Sequence, residues 1–138
     1  MYSYDTKIRV RYGETDQMGV VHHSTYALYY EEGRTEALRH LGLSYREIES
    51  RGIFMPVISL TMKYLRSAYY DEQLTIRTYI KEMPTSKITF EYETYNEKNE
   101  CISKGETVLA IVNKETQRPC RAPEWLTELL AKNMKKHV

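Results

Sequence analysis

One helical segment is followed by a long run of strand patterns, and this order limits the folds open to the chain. From Tyr26 to Leu41, apolar residues recur at helical spacing, which predicts a helix about 24 Å long. After Gly52 the apolar period changes to two, which is typical of strands. A single helix must be covered by that sheet, so the pattern favours an α+β fold with an antiparallel sheet wrapped around the helix.

Turn and capping residues separate the predicted elements. Gly19 suits a positive φ in the loop after the first strand, and Ser24 is a predicted N-cap of the long helix. Ser44, with Glu47 three residues later, predicts a capping box on a short second helix. The predicted elements are, in order, a strand from Thr6 to Tyr12, a helix from Tyr26 to Leu41, a helix from Tyr45 to Ser50, strands from Val57 to Tyr64, Leu74 to Ile80, Ile88 to Thr94 and Cys101 to Asn113, and a helix from Glu124 to Lys135.

Length and charge restrict the class of protein. A chain of 138 residues fits one domain, 1–138. The formal net charge of +1 predicts no attraction to nucleic acid, and no apolar run of about 18 residues predicts a membrane span. The two cysteines, Cys101 and Cys120, are too few for a disulfide framework, and the N-terminus lacks the apolar region of a signal peptide. We therefore expect a cytoplasmic location.

The segment from Tyr12 to Arg34 carries the strongest indication of chemistry. Asp16 lies in a polar turn, two histidines follow, and the predicted helix begins near Ser24. A carboxylate just before a helix N-terminus places a base or nucleophile beside amides that can bind an anion. The pattern predicts a hydrolytic centre acting on a carbonyl, with Asp16 as nucleophile or as general base. The alternative is that Asp16 only caps a turn.

The adjacent histidines, His22 and His23, also raise the question of a metal site. On an extended chain, neighbouring side chains point to opposite sides, so the two rings are not expected to share an ion. The sequence therefore predicts no metal.

The same residues resemble a known family. Tyr12, Asp16 and His23, within RYGETDQMGVVHHSTY, resemble the motif of hot-dog-fold acyl-CoA thioesterases of the 4-hydroxybenzoyl-CoA thioesterase type, in the branch with a Tyr-Asp-His motif. The continuation YYEEGRTEALRHLG resembles the family's central helix, and VISLTMKYLRSAYYDEQLTIRT, TSKITFEYETYN and VNKETQRPCRAP resemble its later segments. One departure is His22, where members often have tyrosine.

The resemblance implies a hot-dog fold, a homodimer formed by joining two sheets, often a dimer of such dimers, and hydrolysis of acyl-coenzyme A without a cofactor. It makes Asp16 the catalytic carboxylate, with Tyr12 and His23 as its partners.

The resemblance also implies how the substrate is held. The backbone amides at the helix start, from Ser24 through Thr25 to Tyr26, would polarise the thioester carbonyl. Cationic side chains are expected near the phosphates of coenzyme A. The candidates are Arg66, Lys87, Lys114, Arg118 and Arg121.

Three other functions are compatible with this fold. An acyl carrier protein could replace coenzyme A as the carrier of the acyl group. A non-catalytic protein could bind acyl-CoA without turnover, since a fold does not fix a function. A hot-dog dehydratase is disfavoured, because its acidic residue is expected on the central helix, whereas Asp16 precedes the helix.

Overall fold

The structure, a computed structural model, describes residues 1–134. Its strands are β1 (Tyr2–Arg9), β2 (Ile53–Phe54), β3 (Val57–Tyr64), β4 (Gln73–Ile80), β5 (Lys87–Tyr95), β6 (Cys101–Ala110) and β7 (Val112–Asn113). Its helices are α1 (Thr25–His40), α2 (Tyr45–Ser50) and α3 (Glu124–Met134), with a 3-10 turn at Tyr12–Glu14. None of the helices within residues 1–134 has the length and apolar character needed to cross a bilayer. The predicted end of the last helix, Lys135, lies outside the described residues.

Five strands form one antiparallel sheet in the order β1-β4-β5-β6-β3, and β2 pairs with β7. Along β4 and β5, alternate side chains are buried, as the period of two predicted. Ile76, Phe90 and Leu109 are fully buried on the face that α1 covers. This arrangement confirms the predicted α+β class. Although β3 and β4 follow each other in the chain, β3 pairs with β6, so β3 and β1 are the two edges.

Two glycines let α1 lie close to the sheet. A Cβ atom on Gly33 would be 2.7 Å from the Thr78 hydroxyl and 2.9 Å from a methyl group of Ile76. A Cβ atom on Gly105 of β6 would clash with the ring of Tyr30 and lie 2.8 Å from the Thr61 carbonyl oxygen. The helix therefore packs against both halves of the sheet at distances that only glycine permits.

The predicted boundaries of two strands are wrong. The first strand begins at Tyr2 and ends at Arg9, because its ladder with β4 runs only between those residues. The predicted last strand is divided into β6 and β7, and β7 turns to pair with β2. Although it is charged, Arg34 of α1 is only 7% exposed, and its Nε donates to the Tyr45 hydroxyl at 3.1 Å.

Candidate active site

The loop between β1 and α1 is fixed against the segment that follows β3. The amide of Val21 donates to the Ala68 carbonyl at 2.9 Å, and Val20 forms an antiparallel bridge with Tyr69. The amide of His22 donates to the Glu14 carbonyl at 2.9 Å. The loop is therefore a defined structure that can present side chains in fixed positions.

Asp16 lies at the centre of this loop and stabilises its turn. Its amide donates to the Val20 carbonyl at 2.9 Å, and its carbonyl accepts from the Gly19 amide at 3.0 Å. Gly19 has a φ of 79°, as predicted. One carboxylate oxygen, Oδ1, accepts from the Met18 amide at 2.8 Å, and no group within residues 1–134 hydrogen-bonds the other oxygen. Asp16 thus caps the turn and keeps one oxygen available.

The amides at the start of α1 differ in their hydrogen bonding. Ser24 donates to Nδ1 of His22 at 3.2 Å, and Thr25 donates to the His22 carbonyl at 2.9 Å. Tyr26 donates to the His23 carbonyl at 3.4 Å. The amide of His23 has no acceptor in the described part of the chain. The three amides that the resemblance assigned to the carbonyl are therefore already engaged, whereas the one just before them is not.

The two histidine rings lie side by side. Their centroids are 4.2 Å apart and their planes are tilted by 31°. The prediction that they point to opposite sides is wrong, because the chain turns at these residues instead of continuing as an extended strand. Residues 1–134 contain no group of three or more His, Cys, Asp or Glu side chains that could hold a metal.

Ser24 precedes α1 but does not cap it with its side chain. Its hydroxyl lies 2.7 Å from Nδ1 of His22 instead. Ser44, by contrast, accepts from the Glu47 amide at 3.2 Å, as predicted for the second helix.

Tyr12 and the ring of His23 are exposed on the same loop. Tyr12 is 78% exposed, and its ring meets Tyr70 edge-on at 5.6 Å between centroids. The His23 ring faces the edge of Tyr64 at 6.4 Å, and the Tyr64 hydroxyl donates to the His23 carbonyl at 3.0 Å. Neither motif partner hydrogen-bonds Asp16 within the described chain.

Glu14 was missed by the sequence reasoning and fixes the 3-10 turn to α1. Its carboxylate accepts from the Arg11 amide at 2.8 Å and from the Tyr29 hydroxyl at 2.9 Å. Burial and this hydrogen bond raise the pKa of Tyr29, so the phenol stays protonated and donates. Burial also raises the pKa of the neighbouring Tyr26 to about 12. The spacing of three residues between Arg11 and Glu14 is the sequence signal that could have indicated the contact between these two residues.

Several cavities open on the surface, with volumes of about 280 to 520 Å³. Asp16 lines none of these five cavities. The cavity of about 520 Å³ adjoins the loop through Tyr69, and Arg66 and Lys98 line it. Asp16 is half-buried, and none of these cavities encloses its carboxylate.

The predicted cationic residues do not lie together. Arg66 follows β3 at the end of the sheet where the Asp16 loop lies, and it pairs with Glu100 at 3.4 Å. Lys87 begins β5 opposite Ala110, at the other end. Lys114, Arg118 and Arg121 follow β7 near that same end, and all three are exposed.

Comparison with known proteins gives consistent matches over most of the chain. The model of the thioesterase-like superfamily matches residues 10–130. YneP of Bacillus subtilis, which is named as a putative acyl-CoA thioesterase, is 33% identical over 131 residues, covering 92% of this chain and 95% of that protein. The acyl-CoA thioester hydrolase YbgC of Escherichia coli is 31% identical over 117 residues, covering 85% and 87%.

The solved structures agree with the sequence relatives. The DHNA-CoA thioesterase from Staphylococcus aureus superposes with a TM-score of 0.89 and 33% identity, covering 99% of this chain and 94% of that one. These matches confirm the predicted hot-dog fold and the predicted resemblance. The chain belongs to the thioesterase-like superfamily and is a thioester hydrolase of the hot-dog fold.

Proposed function

We propose that this protein hydrolyses the thioester of acyl-coenzyme A to a free acid and coenzyme A. Asp16 attacks the carbonyl carbon or takes a proton from the water that does, and the amide of His23 polarises the carbonyl oxygen. The observation that carries this proposal is that one loop holds a carboxylate oxygen and a main-chain amide that are both unpaired within residues 1–134.

The chemistry requires these two groups and little else. In the general-base route, Asp16 accepts a proton from water, hydroxide adds to the carbonyl carbon, and the C–S bond then breaks. The departing thiolate takes up a proton as the acid is released. In the nucleophilic route, the carboxylate adds to the carbonyl carbon, the C–S bond breaks to release the thiolate, and water then hydrolyses the resulting anhydride to restore the carboxylate. Both routes place negative charge on the carbonyl oxygen.

The amide of His23 is suited to that charge by its position. It lies just before α1, where the aligned peptide dipoles give a partial positive charge. A donor aimed at a developing oxyanion contributes about 3 kcal/mol to the transition state. Ser24, Thr25 and Tyr26 would first have to break their present hydrogen bonds, so we assign the donor to His23. The exposed Tyr12 and the His23 ring are left to hold the substrate.

A second copy of the chain is proposed to complete the site. Val57, Ile58 and Leu60 on the edge strand β3 are 46%, 52% and 43% exposed. A bare apolar edge strand of eight residues is a template for pairing with another chain. Two-fold symmetry would pair the two copies of β3 antiparallel, forming one continuous sheet.

Antiparallel pairing also brings the dispersed cations together. In such a pair, the end of the sheet that carries the Asp16 loop in one copy lies beside the end that carries Lys87 in the other copy. Lys87 and Lys114 of one copy would then approach the Asp16 loop of the other, on the same side as its Arg66. In this way the phosphates of coenzyme A would meet basic residues from both chains.

The carrier of the acyl group is proposed to be coenzyme A. The cavity of about 520 Å³ beside the loop offers Arg66 and Lys98 to phosphates. The Arg66–Glu100 pair is an exposed one, with side chains 63% and 37% accessible, so a phosphate can replace the carboxylate at little cost. Acyl carrier protein stays the alternative carrier, and a cytoplasmic location stays a prediction.

The test is a thiol-release assay with short, long and aromatic acyl-CoAs, and with the same acyl groups on an acyl carrier protein. Asp16→Asn removes the base while keeping an oxygen that can accept from Met18, so the turn is retained. We expect its turnover to fall at least about 100-fold. The matched control is Asp71→Asn, because Asp71 is an exposed loop aspartate whose φ of 69° asparagine also tolerates.

Two results would contradict the proposal. Full turnover by Asp16→Asn would remove Asp16 from the chemistry. Tight binding of every acyl-CoA with no thiol release by the wild-type protein would favour a binding protein. Faster hydrolysis of the carrier-protein thioesters would retain the site and change the substrate.

A further inference from the structure

We propose that His22 is a positioning residue whose neutral imidazole holds the turn that presents the His23 amide. Its Nδ1 atom binds Ser24 at two points, and protonation of the ring abolishes the contact with the Ser24 amide and reverses the one with the Ser24 hydroxyl. The inference rests on the proposed function, since it concerns the donor assigned there, but its first readout does not depend on activity.

The hydrogen bonds around His22 define its tautomer. The main-chain amide of Ser24 lies 3.2 Å from Nδ1, and an amide can only donate. Nδ1 must therefore carry a lone pair, and the ring proton is on Nε2. The Ser24 hydroxyl, 2.7 Å from the same atom, must then be a donor too. A neutral ring with an unprotonated Nδ1 is the one form that satisfies both contacts.

These contacts close the turn around the His23 amide. The Thr25 amide donates to the His22 carbonyl at 2.9 Å, while Ser24 is bound to the His22 ring. His22 thus engages the two residues that follow His23, through its main chain and its side chain. This explains why Ser24 does not cap α1, and why the amides around His23 are occupied while that of His23 is not.

Protonation would change this arrangement. An imidazolium carries a proton on both nitrogens, so Nδ1 could no longer accept from the Ser24 amide, and its contact with the Ser24 hydroxyl would reverse direction. The ring of His23 lies 4.2 Å away, Tyr64 of β3 meets that His23 ring, and the Glu14 carboxylate is engaged by Arg11 and Tyr29. No carboxylate in residues 1–134 hydrogen-bonds the His22 ring to replace the lost amide contact.

Two substitutions separate the effect of a hydrogen-bond acceptor at position 22 from the effect of protonating the imidazole ring. In His22→Asn, Oδ1 branches from Cγ as Nδ1 does, so it can accept from Ser24 at every pH. In His22→Leu there is no acceptor. The matched control is His40→Asn, because His40 is exposed at the far end of α1, where its ring stacks on Tyr4 at 4.5 Å.

The first measurement is the ¹⁵N chemical shift of the imidazole nitrogens in the wild-type protein at pH 8. We expect His22 to be protonated on Nε2 only. The second is kcat for acyl-CoA hydrolysis between about pH 8 and pH 5, where imidazoles titrate. The wild-type protein and His40→Asn should lose turnover as the pH falls. His22→Asn should keep its turnover over this range, and His22→Leu should be about 10- to 100-fold slower at pH 8 with a nearly unchanged KM.

Each measurement has a result that would overturn the inference about His22. A proton on Nδ1 at pH 8 would overturn the inference whatever the activity. An acid limb in His22→Asn identical to that of the wild type would assign the titration to another group, and normal turnover by His22→Leu would show that no acceptor is needed. If the wild-type protein hydrolyses no thioester, the proposed function fails while the tautomer remains measurable.

Discussion

The two edge strands of the sheet, β1 and β3, differ in how far their apolar side chains are covered. On β1, the inward side chains Tyr2 and Ile8 are 1% and 7% exposed, because α1 lies over them. On β3, residues on both faces are exposed, among them Ile58 at 52%. The helix α1 covers the inward side chains of one edge strand, whereas apolar residues of the other stay exposed, and this difference supports the proposal that a second copy completes the unit.

The exposed edge strand, β3, is also the edge strand near the candidate site. Tyr64, the last residue of β3, donates its hydroxyl proton to the His23 carbonyl. The segment after β3 holds Val20 and Val21 of the Asp16 loop through Tyr69 and Ala68. A partner that covers the Tyr64 end of β3 would therefore also lie beside His23.

The largest expected effect comes from placing a charge on β3. Leu60→Lys puts an ammonium group in the proposed interface between copies, where burying it unpaired is costly. We expect the variant to become monomeric and its turnover to fall at least about 100-fold, because the site loses residues from the second copy. Light scattering and thiol release measure the two effects. Lys7→Glu changes the charge by two units at an exposed position of the other edge strand, β1, and should alter neither.

The next effect concerns the packing of α1 on the β1 side. Gly33→Ala places a methyl group 2.7 Å from the Thr78 hydroxyl and 2.9 Å from Ile76. Overpacking of this kind lowers the free energy of unfolding by about 1–3 kcal/mol. Urea unfolding of the variant measures the loss. Gly13→Ala, where no atom lies within 4 Å, should stay within about 0.5 kcal/mol of the wild type.

Alkaline pH should lower the free energy of unfolding, because two buried tyrosines of the core titrate there. Burial raises the pKa of Tyr26 and of Tyr92 to about 12 in the folded protein. Above about pH 10 the unfolded chain loses these protons and the folded one keeps them, so stability is complete below pH 10 and falls as the pH rises. We expect a loss of about 1 kcal/mol or more per pH unit. Urea midpoints at pH 8, 10 and 11 measure it, and midpoints that rise or stay constant would contradict it.

The smallest effect is expected on the outer face of β1. Asp5 binds Arg77 of β4 with two contacts of 2.8 and 3.1 Å, but both side chains are about 40% exposed. Solvent screens such pairs, so Asp5→Asn should cost less than about 1 kcal/mol of unfolding free energy. Glu91→Gln, which breaks the single Lys81–Glu91 contact of 3.2 Å, should cost less still. Urea unfolding that showed several kcal/mol for Asp5→Asn would mean that the β1 edge depends on this pair.

Local patterns predicted the elements that depend on local interactions. The bounds of α2 and β3 agree with the prediction, and α1 is displaced by one residue, because caps and periodicity act over short distances. The first strand was placed too late, since its limits depend on pairing with β4, far along the chain. The two-residue ladder of β2 and β7 has no periodicity to detect.

The residues of the candidate site could be proposed from the sequence motif, whereas its hydrogen bonds could not. The motif indicated Asp16 and His23, but the sequence could not indicate that the Ser24, Thr25 and Tyr26 amides are occupied. That outcome depends on the turn at His22, whose ring accepts from Ser24 in place of a helix cap. Side-chain to main-chain contacts of this kind compete with regular caps, and only coordinates reveal which prevails.

We propose that one folded chain holds only part of the active site. The most direct test is to measure the mass of the wild-type protein by light scattering on the same sample that is assayed for thiol release. We expect an active species of at least twice the chain mass of 16.4 kDa. Full activity in a sample that is monomeric throughout would contradict it.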